Sequence, residues 1–124
     1  MKLILLAALL ASPAAAQMAD ADPTMKRGRS LALQCRSCHN FKAGEPHKIG
    51  PNLHGVIGAK AADTDFAGYS DAMRGAKLVW DKPTLDKYLA GPATLVPGTR
   101  MVFAGIAKPE DRGAVIGWLE ANTK

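Results

Sequence analysis

Cys35, Arg36, Ser37, Cys38 and His39 bring two thiols and an imidazole together within five consecutive positions. Two thiols separated by two residues can add across the two vinyl groups of one porphyrin. A histidine directly after the second thiol is then held beneath the iron as an axial ligand. One helical turn places Cys35, Cys38 and His39 on neighbouring positions of one face. Other chemistries use parts of this pattern. A thioredoxin-like dithiol needs a strand-rich βαβ setting, which the sequence does not offer. Zinc needs four ligands. His47 and His54 could join the two cysteines, but they stand seven positions apart, wider than the usual pair, and no second cysteine pair exists. A disulfide across such a short loop closes almost no chain and adds little stability. The favoured expectation is one haem c, covalently bound, with no thiol left over.

The amino terminus bears on the compartment. Met1-Lys2 precedes an apolar run from Leu3 to Ala11, then Pro13 and Ala14-Ala15-Ala16 ahead of Gln17. A positive start, a short apolar stretch and small residues at the cut predict a secretory signal peptide over residues 1–16 and a periplasmic mature protein. The apolar run is shorter than the roughly 20 residues that span a bilayer. Residues 17–124 then make a single domain with no length for a second. Losing Lys2 leaves 15 basic and 11 acidic residues, a formal +4. Such a mild, scattered excess can steer an acidic partner but is no nucleic-acid footprint.

The elements that must position the motif read as helices joined by long loops. Asp22-Pro23 looks like an N-cap followed by proline at the first helical position. Gly28, Leu31, Ala32 and Cys35 then recur at helical spacing, so this helix delivers the cysteines. Gly28 inside it suggests close packing of another helix. From Phe41 to Asp65 the glycines and prolines are too frequent for a regular element, and so long a loop makes sense if it wraps a cofactor. Ser70 to Arg74 reads as one capped turn. Asp81-Lys82-Pro83 starts a helix that Gly91-Pro92 stops, with Leu85, Tyr88 and Leu89 on one face. Pro109, Glu110 and Asp111 open the last helix, whose buried stripe is Val115, Trp118 and Leu119. No strand is expected. The class is all-α, with about four to five helices.

One face of the iron remains to be filled beyond His39. Filled, the haem moves electrons; open, it binds gases or peroxide. Met18, Met25, Met73, Met101, His47 and His54 are available. From spacing alone Met101 is as readily core filler as ligand.

The sequence resembles the class I cytochromes c, most closely the mitochondrial and alphaproteobacterial branch that includes cytochrome c2. The matching residues are Cys35 to His39, Gly50-Pro51-Asn52-Leu53-His54-Gly55, Tyr69-Ser70, Trp80, Tyr88-Leu89, and Pro97-Gly98-Thr99-Arg100-Met101-Val102-Phe103-Ala104-Gly105-Ile106. They run in family order from about Gly28 to Leu119. The resemblance implies Met101 as the second axial ligand. It makes the Pro51 carbonyl the acceptor for the other ring nitrogen of His39. Tyr69, Ser70 and Trp80 would hydrogen-bond a haem propionate, and Tyr88 and Thr99 would lie near the methionine sulfur. His47 would brace the loop rather than bind metal, His54 would be exposed, and Gly28 would meet Trp118 where the first and last helices cross.

Several positions depart from the mitochondrial pattern. Ala59 replaces an arginine near a propionate, and Met73 an asparagine near an internal water. Gln34, Ala93 and Thr94 replace lysines of the docking face, while the resemblance implies that Arg29, Arg36, Lys48, Arg100 and Lys108 surround the haem edge with positive charge. The resemblance thus implies a monomeric one-electron carrier, not an enzyme. Its implied partners are a cytochrome bc1 complex as donor and cytochrome c oxidase or a photosynthetic reaction centre as acceptor. Nucleic acid has no place in this, and membranes are met only in passing. A peroxidase would need a distal histidine–arginine pair that the sequence lacks, and a sensor would need an output domain.

Overall fold

The computed structural model describes residues 22–124, so the expected cleavage after Ala16 lies outside the described residues, as does Met18. Asp22 opens the first helix, α1 (Pro23–Ala32): its carboxylate accepts from the Thr24 N–H at 2.9 Å, and Pro23 takes the first position, where no N–H is needed. A 3-10 segment, Leu33–Ser37, follows directly. Ser70 caps α2 (Asp71–Gly75), its Oγ accepting from the Met73 N–H at 3.0 Å. Asp81 caps α3 (Lys82–Ala90) through the Thr84 N–H.

Gly91 ends α3 as expected, but Pro92 does more than stop it. It occupies the first position of a further short helix, α4 (Pro92–Leu95), for which the sequence reading names no element. The same proline that cannot continue one helix is preorganised to start the next. The last helix, α5 (Pro109–Asn122), carries Glu110 and Asp111 in its first turn and buries Ala114, Val115, Ile116, Trp118 and Leu119. Five α-helices among the described residues make the fold all-α. The nearest approach to a strand is one isolated antiparallel bridge, Lys60 with Val79. Among the described residues no helix is long and apolar enough to cross a membrane.

Helices α1 and α5 cross at Gly28. A Cβ built there would overlap the Ala114 carbonyl oxygen and lie 2.8 Å from the Ala114 carbonyl carbon and 2.9 Å from Trp118 Cβ. Arg27 spans the same crossing with two bonds to the Asp111 carboxylate, both 3.0 Å. Behind it Trp118 stands edge-on to Phe41, ring centres 5.2 Å apart, and the Arg36 guanidinium lies 5.5 and 5.7 Å from the two ring centres. The core continues through Leu85, Tyr88 and Leu89 of α3 to Trp80, Met73, Val96 and Ile106.

The crossing yields a test within one pair of helices. Overpacked sites lose about 1–3 kcal/mol, and Gly28→Ala is expected at the upper end, because it meets backbone rather than a movable side chain. A Cβ at Gly117, in α5, meets nothing within 4 Å. Gly117→Ala is therefore expected to stabilise by about 0.5–1 kcal/mol. Denaturant unfolding of both variants decides it: equal effects would remove the close approach as the reason for Gly28.

Candidate functional site

The Cys35 carbonyl accepts both the Cys38 N–H at 3.1 Å and the His39 N–H at 2.9 Å. This tight turn follows from the 3-10 segment, whose three residues per turn bring positions i and i+3 to one side. Cys35 and Cys38 are therefore paired at the end of a 3-10 segment whose last turn also carries one bond of α-helical span, from His39. Both thiols are free and half-buried. Burial, with Cys38 alongside, pushes the Cys35 thiol above its ordinary pKa.

His39 is buried, and its Nδ1 donates to the Pro51 carbonyl at 2.6 Å. That bond fixes the tautomer, so Nε2 carries the free lone pair. Burial lowers the imidazole's pKa, the Pro51 bond opposes this, and Lys48 adds to the lowering. The ring thus remains neutral, the form that ligates metal. Gly50 makes room for it: a Cβ at that position would lie 2.8 Å from His39 Nδ1. The Gly50 N–H in turn donates to the Cys38 carbonyl at 2.8 Å.

The loop behind Pro51 is held by side chains in place of regular structure. His47 Nδ1 accepts from the Asn52 N–H at 2.9 Å, and Nε2 donates to Asp65 at 2.6 Å. Asn52 Nδ2 reaches the Lys42 and Glu45 carbonyls, and its Oδ1 accepts from the His54 N–H. Both ring nitrogens of His47 are therefore occupied, and His54 is exposed. Among the described residues no group of three or more His, Cys, Asp or Glu side chains is placed to hold a bare metal ion.

On the opposite side of the sequence, the Tyr88 hydroxyl and Thr99 Oγ1 are 2.9 Å apart, and Thr99 Oγ1 lies 3.4 Å from the Met101 N. Burial raises the Tyr88 phenol pKa, and the Thr99 bond partly opposes it. Tyr88, Thr99 and Met101 are thus brought together. Met101 itself is half-buried, whereas Met73 is buried in the core. Tyr69 bonds Thr64 through its hydroxyl at 2.6 Å, and Ser70 spends its oxygen on the α2 cap, leaving its O–H to donate elsewhere. Trp80 is buried, its ring 4.9 Å from that of Tyr88 and tilted 48° against it. Of the charged residues, Arg29, Arg36, Lys48, Arg100 and Lys108 are all exposed. Lys48 Nζ donates to the Arg36 carbonyl at 2.6 Å, and Arg100 makes one long contact, 3.5 Å, to the Gly68 carbonyl.

These residues fit a covalently held haem. Two free thiols, one neutral imidazole with its Nε2 unengaged and one thioether form the donor set that such a group needs. Leu53, Val56, Tyr69, Leu78, Leu95, Met101 and Phe103 pack against the core while keeping part of their surface uncovered, as walls around a large apolar group must. Sequence reasoning gave no role to Asn52, Asp65 or Arg112. The Pro-Asn step in a breaker-rich loop was the available signal for Asn52. Arg112 and Asp65 had none, because their partners lie 26 and 18 positions away.

No protein-family model matches the chain. Curated relatives do. It is 43% identical over 100 residues to "Cytochrome c" of Cochliobolus lunatus, covering 80% of this chain and 93% of the relative. With "Cytochrome c2" of Rhodomicrobium vannielii it shares 42% over 105 residues, 85% of this chain and 82% of the other. Among solved structures, cytochrome cH from Methylobacterium extorquens superposes with a TM-score of 0.73 at 39% identity, covering 78% of this chain and 97% of that one.

The His47–Asp65 brace predicts a pH dependence of stability. The hydrogen bond to His47, with its charge second, holds the Asp65 carboxyl below the usual carboxylate value. A depressed carboxyl contributes fully above its unfolded value of about 4 and loses that contribution as pH falls through the lower folded value. Asp65→Asn is therefore expected to be less stable than wild type at pH 6, with the gap closing as pH falls through the carboxyl's lowered folded value. Thermal unfolding across that range checks it; a gap independent of pH would contradict the assignment.

Proposed function

The chain belongs to the class I cytochromes c, and from that membership we propose an exported carrier that receives single electrons from a bc1-type quinol-oxidising complex. It passes them to a terminal oxidase or a photosynthetic reaction centre in the periplasm. The protein is a haem electron carrier, not an enzyme, and its cofactor is one covalent haem c. The signal-like sequence over residues 1–16 supports export, and residues 17–124 then form the one mature domain.

In this proposal Cys35 and Cys38 form the two thioethers, and His39 and Met101 are the axial ligands. The observation that carries it is the 2.6 Å bond from His39 Nδ1 to the Pro51 carbonyl, which leaves Nε2 as the one ring nitrogen able to ligate. When bound, haem c supplies a one-electron Fe(II)/Fe(III) couple whose potential Met/His ligation raises. The protein's part is to orient and to exclude water. The Pro51 carbonyl aims the imidazole, and Tyr88 with Thr99 fixes the turn that carries Met101. Tyr69, Ser70 and Trp80 are assigned to a propionate: each brings an O–H or N–H donor, and Ser70 and Trp80 are buried. Buried walls disfavour the extra charge of the ferric state.

Docking is assigned to Arg29, Arg36, Lys48, Arg100 and Lys108, which meet acidic partners in brief, small-interface encounters. Exposed Ile49 and Val102 sit beside Lys48 and Met101 in the chain and add apolar contact there. The protein is proposed to act as a monomer that touches membranes only through its partners.

Ferric protein should show the weak near-infrared sulfur-to-iron band. Met101→Ala should lose it, fall in potential and bind cyanide readily, whereas Met73→Ala should keep it. The reverse pattern would move the ligand to Met73. For docking, second-order electron-transfer rates with a bc1 complex should depend less steeply on ionic strength in Arg100→Gln than in wild type. Screening acts over about 10 Å at 0.1 M salt, so Lys124→Gln, at the carboxyl terminus, should match wild type. Three equal slopes would rule out the Arg100 face as the electrostatic contact.

A further inference from the structure

Between α4 and α5, residues 96–108 form neither helix nor strand, and Met101 lies within them. Irregular backbone of that length stays in one place only where its polar groups are tied down. Before Met101, the Thr99 N–H donates to the Val96 carbonyl at 3.0 Å, and the Thr99 hydroxyl pairs with Tyr88 of α3. After Met101, the Ile106 N–H donates to the Leu89 carbonyl of α3 at 2.8 Å. Gly105, at φ +108°, lies so close to α3 that a Cβ would overlap the Ala90 carbonyl oxygen and sit 2.9 Å from its carbon.

The two carbonyls that follow are held by one side chain. Arg112 Nη1 donates to the Ile106 carbonyl at 2.9 Å and to the Ala107 carbonyl at 3.0 Å. Its Nε donates to Asp86 Oδ1, on α3, at 2.8 Å. Only 12% of the Arg112 side chain is exposed. A single guanidinium thus joins α5, which carries it, to α3 and to the segment that carries Met101. Its planar fork sets all three bonds at once, which a lysine cannot do.

We infer that Arg112 is a positioning residue for Met101: through Asp86 and the Ile106 and Ala107 carbonyls it seats the loop against α3 and keeps the thioether on the iron. This rests on the proposal that Met101 is the ligand. Without the guanidinium, both carbonyls turn to water and the loop opens more often. An external ligand that competes with Met101 reads that opening as an increase in apparent affinity.

The experiment titrates ferric holoprotein with imidazole and follows loss of the sulfur-to-iron band, with unfolding stability measured for each variant. Arg112→Gln is expected to bind imidazole about tenfold more tightly, the scale of a lost hydrogen bond to a charged group. Arg112→Lys, which keeps the charge without the fork, should fall between it and wild type. Arg27→Gln removes a guanidinium whose two bonds go to Asp111, the neighbour of Arg112 on α5, without touching the loop, and should bind imidazole as wild type does. Should Arg112→Gln fail to fold, Asp86→Asn tests the same clamp and should also tighten imidazole binding. Equal affinities for Arg112→Gln and Arg27→Gln, or an unchanged affinity in Asp86→Asn when it is the only variant that folds, overturn the inference. A wild-type spectrum without the band would instead refute Met101 as ligand, a separate failure.

Discussion

Helices α1 and α5 can meet backbone to backbone only because residue 28 has no side chain, and the positions of the other elements follow from that contact. With Gly28 against the Ala114 carbonyl, the 3-10 segment that begins at Leu33 starts from the end of a helix already fixed on α5. Phe41 then reaches Trp118 edge to face, the arrangement that aromatic quadrupoles favour. The Arg36 guanidinium covers both rings, its charge facing π-clouds while its stem packs. The thiols and His39 stand between these fixed points, so a crossing of two helices sets the place of the His39 imidazole.

Everything between the crossing and Met101 is held by a different means. Residues 40–69 contain no helix, yet among the described residues no side-chain nitrogen or oxygen fully shut off from solvent lacks a partner. Asn52 alone makes three bonds to backbone, and Arg112 makes two to the loop that carries Met101. An irregular backbone needs such partners because it gives up the ladders that helices and sheets supply. The cost of ordering these loops is offset by few, well-directed polar contacts and by apolar walls that a large cofactor completes. Met73 belongs to that apolar side: it is buried in the core at a position where an asparagine would bring a polar group.

The helices were legible because their signals are local. Asp22, Ser70 and Asp81 cap as their types and positions indicate, and the α5 stripe of Val115, Trp118 and Leu119 is buried as the 3.6-residue period requires. Gly28 could be read as a close approach before its partner was known. The same holds for the candidate site where one short motif contains it, as Cys35 to His39 does. Three features were less accessible. The 3-10 geometry at the cysteines and the short helix α4 turn on single hydrogen-bond choices that propensity does not resolve. The bonds of Asp65 and Arg112 join residues far apart in sequence, and a charged residue in isolation gives no sign of being buried. The pairing of Pro51 with His39, and the placing of Tyr88 and Thr99 near Met101, came from resemblance, and the structure supplies the distances that resemblance cannot.

The joining of the first described helix to the last also settles how the molecule bears force. Tension applied at residue 22 and at the carboxyl terminus enters through α1 and α5 and meets at Gly28 and the Arg27–Asp111 bonds. The chain from Leu33 to Lys108 lies inside that junction and carries no load until it parts. A tether at either end, to a surface or to a second protein, therefore strains the helix crossing first. The ligand-bearing loops are the last segments to feel the pull.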